Sequence, residues 1–100
     1  MSPAKYRISS EAIQDLRNIW KYTNKKWSKE QADRYFKLVM SEIEFVTTNF
    51  HTGKSAEHIR EGYRSTIAKS HLIFYKMGKD SRIDIIRILH QKGDVENKLK

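Results

Sequence analysis

Between residues 10 and 48 the chain contains neither Gly nor Pro, and its apolar residues recur three or four positions apart, the spacing of one helix face. Two helices are predicted. The first starts at Ser9 or Ser10, places Glu11 in its positively polarised first turn, and aligns Ile13, Leu16, Ile19, Trp20, Thr23 and Trp27 in one stripe. Gln14, Asp15, Arg17, Asn18 and Lys21 make up the wet face. The second opens on Ser28-Lys29-Glu30-Gln31, a capping box in which the Ser28 and Gln31 side chains satisfy each other's orphan amides. It continues with Ala32, Tyr35, Phe36, Val39, Ile43 and Val46 at helical spacing. The polar stretch Asn24-Lys25-Lys26 is too short for an excursion, so the two helices form an antiparallel hairpin.

From residue 63 the period changes. Ile, Tyr, Phe and Thr dominate, and the breaks fall at Gly78 and Asp80. Strands are expected at Tyr63 to Lys69, at His71 to Met77 and at Arg82 to Leu89, joined by a tight turn at Lys69-Ser70 and by Gly78-Lys79-Asp80-Ser81. Ala4 to Ile8 adds a fourth strand. The last strand is apolar nearly throughout, apart from Asp84 and Arg87, so both its faces need cover and it belongs inside the sheet. The expected class is α+β: a β-α-α-β-β-β order with a helical hairpin packed on a small antiparallel sheet. No repeat, linker or low-complexity tract interrupts the chain, so residues 1–100 form one domain, packed from about residue 4 to about residue 91.

Composition narrows the function classes. None of the 100 residues is Cys, which excludes disulfides, thiolate metal sites and Cys nucleophiles. No apolar run approaches the ~20 residues of a membrane span, and the N-terminal residues lack a signal-peptide core. A soluble, cytoplasmic chain is expected. The mean hydropathy of −0.77 is low, but 11% aromatic residues in periodic patterns argue for a packed core. A net charge of +8 favours an anionic partner, nucleic acid or acidic protein, without choosing between them. His51, His58, His71 and His90 have no metal-site spacing, and no phosphate-cradling Gly-rich loop or paired-carboxylate motif occurs, so no metal and no cofactor is expected.

Two arginines stand out. Arg87 sits in Ile85-Ile86-Arg87-Ile88-Leu89, where an unpaired buried charge costs several kcal/mol, so it must pair with Asp84, Glu57 or Glu61, reach solvent at a cleft, or bind an anion. Arg60-Glu61-Gly62-Tyr63-Arg64 puts Tyr63 and Arg64 on opposite faces of a strand, and Arg64 could converge with Arg87 on a phosphate or carboxylate. His90, beside an arginine-bearing strand, is a candidate acid or base.

These residues, in order, resemble the ParE branch of the RelE/ParE toxin superfamily. The matching pieces are Tyr6-Arg7-Ile8-Ser9 leading into Ala12, Asp15, Leu16 and Ile19; Tyr22-Thr23 with Trp27 and Gln31-Ala32; Ile59 to Arg64; His71 to Tyr75; and Arg87-Ile88-Leu89-His90. The resemblance implies a toxin of a type II toxin–antitoxin system that inhibits DNA gyrase by stabilising its DNA-cleaved state. It also implies a ParD-like antitoxin whose disordered, acidic and amphipathic C-terminal segment folds over the toxin, with Trp20, Tyr22 and Trp27 as the expected contacts. No direct sequence-specific DNA binding is expected. Arg64, Arg87, His90 and Lys92, with the Lys-rich stretch to Lys100, are the expected target contacts. The RelE branch cleaves mRNA on the ribosome, and the alternative is that Arg64, Arg87 and His90 form such a ribonuclease site. Against it, Gln91 follows His90 where Tyr is usual, and residues 51–62 hold only Lys54 and Arg60 where ribonucleases are richer in Lys. A non-toxic corepressor that binds its antitoxin is the third reading.

Overall fold

The computed structural model describes residues 5–99; Ala4, assigned above to the first strand, and Lys100 lie outside the described residues. The order is β1 (Tyr6–Ile8), α1 (Ser10–Lys26), α2 (Lys29–Thr48), a 3-10 turn (Phe50–Thr52), β2 (Lys54–Ser55), β3 (Arg64–Ala68), β4 (His71–Met77), β5 (Ile83–His90) and α3 (Val95–Leu99). The expected α+β arrangement is present, with a two-residue strand and a C-terminal helix added.

Both helices begin on the predicted serines. Ser9 Oγ accepts from the Ala12 N–H, and Ser28 Oγ from the Gln31 N–H at 3.1 Å, each satisfying an orphan donor of the first turn. The capping box is half-formed: the Gln31 side chain makes no return bond to Ser28 among the described residues. α1 buries only Ala12 and Leu16, whereas Ile13 is exposed and Trp27 is 64% exposed, so the stripe is narrower than its period suggests. α2 buries Ala32, Val39, Ile43 and Val46 and leaves Phe36 exposed.

The sheet order is β1-β5-β4-β3-β2, with β5 in the interior, as its apolar run requires. β2 to β5 are antiparallel, but β1 joins β5 in parallel, so the sheet is mixed. Alternation along β4 sends Ile73 and Tyr75 to the helix-covered face, packed with Leu16, Val39, Ile43, Val46, Ile83, Ile85 and Ile88. Phe74 faces the other side, where it meets Leu89, Tyr63, Ala56 and Leu99. That second cluster corrects the expected end of the packed region near residue 91: Leu99, in a stretch read as a Lys-rich tail, is buried.

The register slips by one residue between Phe74, which faces Arg87, and Tyr75, which faces Ile85. β1 ends level with Ile85, and α1 takes over the edge of β5 beyond it. Ser9 N–H donates to the Ile85 carbonyl, Ser9 Oγ–H to the Ile86 carbonyl at 2.7 Å, and the Ile88 N–H to Asp15 at 3.0 Å. Near the opposite edge, Gly53 lies so close to the Tyr75 hydroxyl, which donates to the Phe50 carbonyl at 2.8 Å, that any Cβ there would collide with it.

Candidate functional site

Arg87 and Arg64 do not converge. The Arg87 guanidinium forks onto Asp15, Nε at 2.8 Å and Nη2 at 2.9 Å, and Nη1 reaches the Lys98 carbonyl at 3.4 Å. Its partner is thus none of Asp84, Glu57 or Glu61: Asp84 is engaged by Arg7, and Asp15 leaves the wet face of α1 to meet Arg87. The bidentate bond to Asp15 holds the Arg87 pKa above its ordinary value, against the opposing effect of burial. Arg64 lies on β3, with β4 between it and β5. Its Nη2 donates to the carbonyls of His51 at 3.0 Å and Gly53 at 2.6 Å, its plane lies over Phe50, and its Nε is buried without a partner. Each arginine is bound into the frame of the protein by a different set of groups.

His90 faces elsewhere. It is the cross-strand partner of His71, with ring centroids 5.2 Å apart in edge-to-face contact. His71 Nδ1 is hydrogen-bonded to the Tyr35 hydroxyl at 2.7 Å, and that hydroxyl also meets the Ala68 carbonyl and the Ser70 N–H. Burial, and secondarily the nearby His90, push the His71 pKa below 6.5. Lys92 donates its N–H to His90 Nδ1, which places the proton of neutral His90 on Nε2.

The two histidines line a groove of about 890 Å³ between the helical hairpin and the β3–β4 turn. Arg34, Lys37 and Lys69 line it, with Tyr22, Trp27 and Leu38 as exposed apolar walls. No carboxylate lines it. A second groove of about 590 Å³ lies where α1 and α2 meet the end of β1; Ile8, Ile13, Leu16, Phe36 and Met40 make its wall mostly apolar, with Arg17, Lys21 and Asp33 also lining it. Trp20 belongs to this second groove, where its indole N–H donates to Asp33 at 2.9 Å and, as the main cause, lowers that carboxylate's pKa. The three aromatics grouped by sequence thus divide between two grooves, because Trp20 and Tyr22 are about 200° apart around a helix. The His71–Tyr35 pairing was missed in sequence; its only signal was a polar hydroxyl on an apolar helix stripe.

Among the described residues no group of three or more His, Asp or Glu could hold a metal, and no helix is long and apolar enough to cross a membrane.

The family profile described as the ParE toxin of the type II toxin–antitoxin system parDE matches residues 6–95. The chain belongs to the ParE toxin family. Toxin ParE1 of Mycobacterium tuberculosis is 34% identical over 96 residues, which span 96% of this chain and 98% of that protein. Toxin ParE1 of Caulobacter vibrioides is 40% identical over 86 residues, 86% of this chain and 88% of that one. A solved chain from the chromosomal ParDE system of P. aeruginosa superposes with a TM-score of 0.75, covering 87% of this chain and 95% of that chain. At 16% identity that likeness speaks for the shared ParE fold alone.

Proposed function

We propose that this ParE-family toxin halts growth by binding DNA gyrase and stabilising its DNA-cleaved state, and that a ParD-like antitoxin neutralises it. The observation favouring a protein target over RNA cleavage is the fate of the two arginines. A ribonuclease needs its cations free and converging on one phosphate, with an acid and a base within about 3 Å of the reacting atoms. Here Arg87 is held by Asp15 and Arg64 by two backbone carbonyls, and His90 turns toward His71. In this reading the target meets the exposed side of His90 and Lys92, while Arg64 and Arg87 hold the strands that present them.

The antitoxin segment lays its apolar face in the Trp20 groove, against Ile13 and Phe36, and reaches around the hairpin toward Tyr22 and Trp27. Charge favours an acidic segment, since the toxin is +8. An amphipathic helix in a groove is the recognition mode that leaves side chains such as Ile13 and Phe36 exposed on a free protein.

The test is a short induction without antitoxin, with pulse labelling of DNA and protein synthesis in one culture. DNA synthesis should stop first, and purified gyrase should accumulate cleaved DNA when this protein is added. Protein synthesis stopping first would overturn the gyrase reading. Undiminished affinity for an antitoxin lacking its C-terminal segment would overturn the wrapping.

A further inference from the structure

The groove between the hairpin and the β3–β4 turn combines features that an apolar peptide does not require. Three cations, Arg34, Lys37 and Lys69, line it together with two imidazoles, and no carboxylate is among the lining residues. Tyr22 and Trp27 are 62% and 64% exposed, and Lys26 Nζ lies over their rings, 5.5 Å and 6.0 Å from the centroids. Exposed aromatic rings in one groove with several cations suit alternating bases and phosphates, whereas an acidic helix would match the cations and leave the rings without a planar partner.

A second observation concerns Lys69. It occupies the first position of the two-residue β3–β4 turn with φ of 52°, a left-handed conformation that Gly adopts without steric cost. A lysine at that position, at a local conformational cost, adds a cationic residue to the lining of the groove.

We propose that this groove binds single-stranded nucleic acid without sequence preference, its phosphates meeting Arg34, Lys37 and Lys69 and a base stacking on Trp27. The groove is separate from the apolar Trp20 groove but shares Tyr22 and Trp27 with the proposed antitoxin path and His90 with the proposed target face, so a bound antitoxin would compete with the strand. The proposal does not depend on gyrase being the target.

The experiment is fluorescence anisotropy of a labelled oligothymidylate of about a dozen nucleotides, titrated with the whole protein at several salt concentrations. Lys37→Ala and Lys69→Gly should each weaken binding several-fold and reduce the salt slope by about 0.7, the value for one phosphate contact on a single strand. Lys69→Gly is the sharper probe, because it should leave the melting temperature unchanged or higher while binding falls. Trp27→Ala, which removes no charge, should cost about tenfold. Lys79→Ala, an exposed lysine on the turn at the far end of β4, makes the same change in net charge and should bind like the parent. Absence of binding overturns the proposal. So does an equal loss in Lys79→Ala, which would mean that overall charge alone attracts the strand. Unchanged binding in Trp27→Ala, with polyglutamate competing as well as the oligonucleotide, would assign the groove to acidic peptides instead.

Discussion

Replacing Asp15 by Ala tests the joint between α1 and β5. The carboxylate accepts two bonds from Arg87 and a third from the Ile88 N–H, with the two side chains 22% and 11% exposed. Breaking a buried pair by removing one partner costs about 3–5 kcal/mol, and the water that still reaches Arg87 reduces this to about 2. The orphaned Ile88 N–H adds about 1 kcal/mol. For a domain of this size, a total near 3 kcal/mol lowers the melting temperature by about 12–24 °C at roughly 4–8 °C per kcal/mol. Thermal melts and urea titrations read it, with an unchanged m-value certifying that only stability moved. Arg87→Ala should be destabilising for the reciprocal reason, so a loss of toxicity in that variant says nothing of target contact until its fold is checked. The double variant Asp15→Ala/Arg87→Met should recover much of the loss, because no charge remains buried. A fall below about 4 °C in Asp15→Ala, or a double variant no more stable than the single, refutes the reasoning.

Leu16→Ala, which empties part of the helix-covered core, should lower stability by about 2–5 kcal/mol, read from the urea midpoint. Gly53→Ala should displace the Tyr75 hydroxyl and cost about 1–3 kcal/mol by the same measurement; a variant as stable as the parent would show that the 3-10 turn moves freely. With the folded-state pKa of His71 held below 6.5, the unfolded chain takes up a proton first as pH falls. That contribution to stability is fully present above 6.5, declines as the pH drops through it, and levels off below the folded-state value. Urea midpoints measured between about pH 8 and pH 5 should show this decline in the parent and a shallower one in His71→Gln; equal slopes would remove His71 as its source.

What the sequence made legible was local or periodic. Ser9 and Ser28 marked both helix starts because capping needs only a hydroxyl within three residues of the first free amides. The long apolar run marked β5 as an interior strand because a two-sided environment leaves little room for polar residues. What stayed hidden was set by distance along the chain. Asp15 reads as a wet-face residue in its own helix and becomes a buried partner only when β5, more than seventy positions later, brings Arg87 to it. The convergence of Arg64 and Arg87 failed for a related reason: alternation assigns each residue a face of the sheet but not which strand lies between. α3 spans five residues, too few for a helical period to register, so Leu99 looked like part of a charged tail. The three aromatics were grouped by chemical kind, and the helix separated them by angle.

The parallel pairing of β1 with β5 also has a consequence in time. Tyr6 is made early, but its partner Ile83 is made only after the hairpin, β3 and β4. Closing a loop of that length is entropically costly, and contacts so distant in sequence form slowly. Until β5 is complete, β1 has no neighbour in the sheet, and neither Ser9 nor Asp15 has the β5 backbone it bonds. The grooves on either side of the hairpin therefore reach their final shape only after β5 has been made, so a partner that recognises that shape meets the folded domain and not a chain still lacking β5.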